Sequence, residues 1–147
     1  MDVRMRGRQI LVHGLALVLF GLIWGLVVPH TPFPRLALGA HIQFVSNGML
    51  FVVMAIALLA VPNNVGPRSA AVMLLAVCLT WLMGFSEVAN SWWGTTQVLP
   101  LAAQQAGATG GTMLQELIVK LSHIGAGLAL IIAWALLIAG FRKAPSQ

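Results

Sequence analysis

Four apolar runs, at residues 10–28, 36–61, 70–93 and 113–141, decide what this chain can become. Crossing a hydrocarbon core of about 30 Å takes about 20 residues in a helix rising about 1.5 Å per residue, and each run is long enough. The breaks between them carry turn chemistry: Pro29, Pro32 and Pro34 after the first, then Pro62, Asn63, Asn64, Gly66 and Pro67 after the second. Residues 94–112, with Pro100, Gly107, Gly110 and Gly111 and no charged residue, form a longer connection able to fold partly back over the bundle. The expected architecture is an all-α, integral membrane four-helix bundle, a single transmembrane domain over residues 1–147. With 7% charged residues and a mean hydropathy of +0.93, a water-soluble fold is excluded.

The net charge of +5 would suggest nucleic acid in a soluble protein, but here the basic residues stand at span ends and in loops, where they set orientation. Arg4, Arg6 and Arg8, then Arg68, then Arg142 and Lys143 fall on one side, which predicts cytoplasmic termini in a bacterial-type inner membrane. Arg35 and Lys120 are the minority. The first run follows three arginines as a signal peptide would, but it is longer than a usual signal core and further spans follow, so it is read as a retained helix. Gly14, Gly21 and Gly25 place small residues where a neighbouring helix can approach closely. Trp92 and Trp93 close the third span at the level of an interfacial aromatic belt. Cys78 is a lone cysteine in an apolar run, expected to pack as a small hydrophobe.

An ionisable group at mid-bilayer costs about 2.5–3.5 kcal/mol on insertion scales, so each polar residue inside a span asks for a reason. These are His13; His41, Gln43 and Asn47; Glu87 and Asn90; and Gln115, Glu116, Lys120 and His123. With alternating span direction all but His13 gather toward the non-cytoplasmic half. Glu116, Lys120 and His123 follow the spacing of one helical stripe, as do Glu87 and Asn90. Glu116 precedes Lys120 by four, the favourable order for an internal ion pair. Glu87 has no basic neighbour on its own helix. It is protonated by burial, paired across helices with Lys120 or a histidine, or engaged in chemistry. His41 and Asn47 are six apart and so stand about 120° apart around their helix. Either that helix faces a broad cavity, or His41 addresses a groove against a neighbouring helix or subunit while Gln43 and Asn47 face inward.

His13-Gly14 opening the first span, Pro34-Arg35-Leu36 before the second, Ala40-His41 with Asn47-Gly48-Met49 downstream, Asn90 followed by tryptophan, and Gln115-Glu116 then Lys120 together resemble hydroxylaminobenzene mutase and its relatives. The His-Gly opening with Ala40-His41 and Asn47-Gly48-Met49 is also similar to styrene oxide isomerase, a small trimeric membrane enzyme that binds haem b. The resemblance implies His41 as ligand of a haem iron and Asn47 as a substrate-positioning residue. That isomerase's third-helix tyrosine and aspartate fall at about Ser91 and Met83, and this chain has no tyrosine, which directs the resemblance toward the mutase.

What it implies is an isomerase, an intramolecular hydroxy-group transferase turning an aryl hydroxylamine into an aminophenol. The haem would act as Lewis acid, Asn47 and Asn90 would orient the substrate, Glu87 or Glu116 would move the proton, and Lys120 would hold one carboxylate ionised. Its partners would be lipid, a small aromatic substrate and further copies in a homo-oligomer, a trimer by analogy, with no nucleic acid. Three alternatives remain at this point: a styrene-oxide-isomerase-like epoxide isomerase, an electron-transfer protein with His41 and His123 both on a haem iron, and a proton relay through Glu87, Glu116, Lys120 and His123.

Overall fold

The computed structural model describes residues 2–142. Lys143, part of the charge pattern above, lies outside them. The chain folds as α1 (Val3–Val27), a single 3-10 turn (Val28–His30), α2 (Pro34–Ala60), α3 (Pro67–Trp93), α4 (Pro100–Ala106) and α5 (Met113–Arg142). Four of these helices are long and apolar enough to cross a membrane. The protein is an all-α, multi-pass membrane protein.

Three helices open on a proline, at Pro34, Pro67 and Pro100, where the missing N–H would have no helical partner in any case. α3 stops at Gly94, which takes the left-handed conformation (φ 64°) and returns its N–H to the Asn90 carbonyl. α1 begins at Val3, ahead of its apolar run, because Arg4, Arg6 and Arg8 are good helix formers and carry the helix out past the hydrocarbon. The connection at 94–112 is also more ordered than its glycines suggest. It contains α4, which packs on α2, and Arg35 Nε donates to Gln105 Oε1 at 2.8 Å.

α1 packs along α2 and α3 along α5; α3 also touches both members of the first pair, whereas α2 and α5 barely meet. The α1–α2 seam is closed by small residues. A methyl at Gly14 would lie 2.9 Å from the Val52 nitrogen, and one at Gly48 would lie 2.8 Å from the Gly14 carbonyl oxygen. Phe20, Phe44, Trp81 and Phe85 fill the junction of α1, α2 and α3, with Phe20 and Phe44 ring centroids 4.7 Å apart. The outward surface is aliphatic, including Leu15, Leu19, Leu22 and Leu26 on α1 and Ile131 and Ile138 on α5. Cys78 is on that outer surface and not in the core. In lipid a small apolar side chain gains little by turning inward, so a cysteine that behaves as a small hydrophobe can stand on the outer face.

Candidate functional site

The gap left where α2 and α5 fail to meet is a cleft of about 400 Å³, floored by α3. Gln43, Ser46 and Asn47 from α2, Thr80 and Met83 from α3, and His123 from α5 supply its polar and intermediate surface; Ile42, Ala126 and Leu130 make the rest apolar. Gln43 and Asn47 are one turn apart on α2, so both side chains reach the same opening. None of the aromatic residues lines it. Trp92 is half exposed against Trp24, with ring centroids 6.0 Å apart, away from the cleft.

Behind the cleft lies Glu87, fully buried. His123 Nε2 is 3.1 Å from Glu87 Oε1 and 3.0 Å from Gln43 Nε2, so α2, α3 and α5 converge on one imidazole nitrogen. The other ring nitrogen, Nδ1, is 2.8 Å from the Val119 carbonyl oxygen and donates to it. On the far side, a methyl at Gly39 would lie 3.6 Å from Glu87 Oε2 and 3.7 Å from Leu99, so the α2 backbone and the 94–112 connection wall the carboxyl in. Asn90 is buried next to it. Its Oδ1 is taken by the Thr95 amide (2.9 Å) and hydroxyl (2.7 Å), while its Nδ2 and both Glu87 oxygens lack a well-formed hydrogen bond. Of the candidates seen in sequence, Glu87, Asn90 and Asn47 are thus brought to one region.

Glu116 and Lys120 are arranged otherwise. The Glu116 carboxylate accepts the backbone N–H of Thr96 (2.8 Å), Gln97 (3.1 Å) and Gly111 (3.2 Å), fastening both ends of the 94–112 connection onto α5. Lys120 is exposed, and among the described residues the one approach of a carboxyl group to a basic side chain within 4 Å is that of Glu87 to His123. The Glu116–Lys120 pair expected from spacing is therefore not formed: three amide donors already occupy the carboxylate that the ammonium would have met.

His41 stands on the opposite edge of α2, in the groove with α1. Its Nδ1 is 2.7 Å from the Gly21 carbonyl oxygen and its ring lies over Gly25, where a methyl would come within 2.9 Å of Nδ1. This bond orients the ring and leaves Nε2 without a protein partner among the described residues. Leu22, Leu26, Leu38 and Ile42 present exposed apolar surface on the same two helices. A histidine held at Nδ1 by a backbone carbonyl, free at Nε2 and edged by aliphatic surface fits the single-ligand side of a haem site. No group of three or more metal-ligating side chains occurs among the described residues. His41 and His123 are on different sides of α2, so one chain does not assemble the bis-histidine arrangement.

Sequence reasoning gave Gln43 no role, and placed His123 only in the two alternatives of a second haem ligand and a proton relay, with a histidine among the possible cross-helix partners of Glu87. The i, i+4 spacing of Gln43 and Asn47 was a usable signal; that Glu87 meets a histidine and not Lys120 depends on how α3 packs against α5.

A family model for styrene oxide isomerase matches residues 6–142. The chain is 30% identical over 141 residues to hydroxylaminobenzene mutase HabB of Ectopseudomonas oleovorans, an alignment covering 95% of this chain and 84% of that protein. No solved structure matches it.

Proposed function

The chain belongs to the styrene oxide isomerase family and is an isomerase-type membrane enzyme; from that premise we propose that it rearranges a small aryl hydroxylamine to an aminophenol. The observation that carries this reading is the α2–α5 cleft: a mostly apolar volume of about 400 Å³, roomy enough for a small aromatic molecule, with Asn47, Gln43 and His123 at one place on its wall and a buried carboxyl behind them. Similarity to a hydroxylaminobenzene mutase along nearly the whole chain supports it. Met83 and Ser91 at the positions where the resemblance to styrene oxide isomerase expects an aspartate and a tyrosine weigh against epoxide isomerisation, since neither is an acid able to open a strained ring.

His41 is the residue that holds haem b in this reading. Bound there, the iron supplies Lewis acidity toward the hydroxylamine oxygen. Asn47 positions the substrate by hydrogen bonding, the aliphatic cleft wall excludes water from the N–O bond as it weakens, and Glu87, not Glu116, is the carboxyl that stands behind the cleft, next to His123. Asn90 keeps the Glu87 end of α3 rigid through its bonds to Thr95. Because His41 and Asn47 stand on opposite edges of α2, a site that uses both is shared between copies, which favours a homo-oligomer, a trimer by analogy. The arginines at 4, 6, 8 and 68 share one end of the bundle, where Arg6 bonds the Pro67 carbonyl, and orient that end to the cytoplasm of a bacterial-type inner membrane.

The test is to give the purified protein phenylhydroxylamine in ¹⁸O-labelled water. The proposal expects an aminophenol that keeps the substrate's own oxygen. An absence of aminophenol, or product carrying solvent oxygen, would contradict it, and a parallel incubation with styrene oxide measures the epoxide alternative.

A further inference from the structure

Building on the reading of the cleft as a rearrangement site, we propose that His123 is the residue that exchanges protons with the substrate, with Glu87 as its buried positioning partner. Glu87 does not line the cleft and has no exposure at all, so its carboxyl reaches the cleft only through the imidazole. His123 does line it, with 16% of its side chain exposed. A carboxyl enclosed by apolar helices is costly unless it is protonated or paired, and His123 is the one titratable group the described residues place against it. The other groups facing the imidazole are neutral: Gln43 and Asn47 from α2, and Thr80 and Met83 from α3.

The hydrogen bonds suit a ring that changes charge. Nδ1 keeps its proton on the Val119 carbonyl, so Nε2 is the exchanging atom. When Nε2 is bare it accepts from the Gln43 amide. When it carries a proton the Gln43 amide, turned about its last torsion, offers oxygen in place of nitrogen, and the Glu87 carboxylate stands beside it as counter-charge. Both states have partners, and the imidazolium has a counter-charge at 3.1 Å.

The rearrangement asks for this. Oxygen leaves nitrogen and bonds to a ring carbon; that carbon releases its hydrogen as a proton, and the nitrogen takes one up. The sum is an isomerisation needing no oxidant or reductant. His123 Nε2 accepts the ring proton and returns a proton to nitrogen, while Glu87 balances the transient charge.

The experiment compares phenylhydroxylamine turnover by the wild type, His123→Gln, His123→Ala and Glu87→Gln in detergent, with ring-deuterated substrate alongside. General acid–base removal predicts a loss of about 100-fold or more in kcat for both His123 variants. It also predicts an enlarged ring-deuterium isotope effect in both, partial rescue of His123→Ala by added imidazole, and a displaced pH–rate profile in Glu87→Gln. Variants within a few-fold of wild type, or a loss with an unchanged isotope effect, would overturn the inference while leaving the proposed function intact. A wild type inactive on aryl hydroxylamines would instead sink the proposed function. If no variant folds, diethyl pyrocarbonate labelling of the wild type decides: modification of His123 should be slowed by aminophenol and should track inactivation, and labelling without inactivation would contradict the assignment.

Discussion

His41 and His123 belong to the same bundle and both fix Nδ1 on a backbone carbonyl, yet they face opposite conditions at Nε2. His41 lies over Gly25 in the α1–α2 groove with Nε2 unpartnered, whereas His123 presents Nε2 to Glu87 and Gln43 at the wall of the α2–α5 cleft. In the proposed scheme the first gives its lone pair to a group outside the chain and the second gains and loses a proton inside it. What each ring nitrogen meets is the basis for proposing one histidine as a ligand and the other as a proton carrier.

The division breaks most visibly at His41. His41→Ala should remove bound haem and bring rearrangement to background, read from the absorption spectrum and product analysis. Co-expression of His41→Ala with Asn47→Ala should then recover part of the activity that each lacks alone, as the proposed sharing of the site between copies requires; no recovery in mixed oligomers would confine the site to single chains. Asn47→Ala by itself should lower kcat/KM by about tenfold, the worth of one well-placed hydrogen bond at about 1.4 kcal/mol, with haem content unchanged.

Smaller effects sharpen the contrast. Gly25→Ala forces a methyl to within 2.9 Å of the His41 ring and should loosen its bond to Gly21, lowering haem retention on dilution while the helix content stays the same. Glu116→Gln should leave haem in place but free the 94–112 connection, with a loss of about 1–3 kcal/mol of stability and faster hydrogen exchange at Thr96, Gln97 and Gly111.

Much of this was legible in the sequence because membrane spans are fixed by length and hydropathy, and because an angle around one helix needs no knowledge of its neighbours. The separation of His41 from Asn47 follows from six residues at about 100° each. What packs against what does not follow. Glu87 finds His123 because α3 lies along α5, and spacing on either helix alone is silent about that. Glu116 and Lys120 show the opposite failure, where a favourable i, i+4 pair loses to backbone amides delivered by a connection far away in sequence. The side of its helix on which Cys78 stands was not legible either, because the inside–outside rule of soluble cores does not govern an apolar residue in lipid.

The most direct measurement of the division is the Soret band of the purified protein in the wild type, His41→Ala and His123→Ala. The account predicts a band that disappears in His41→Ala and persists in His123→Ala; a band lost equally from both would make the two histidines joint ligands and contradict it.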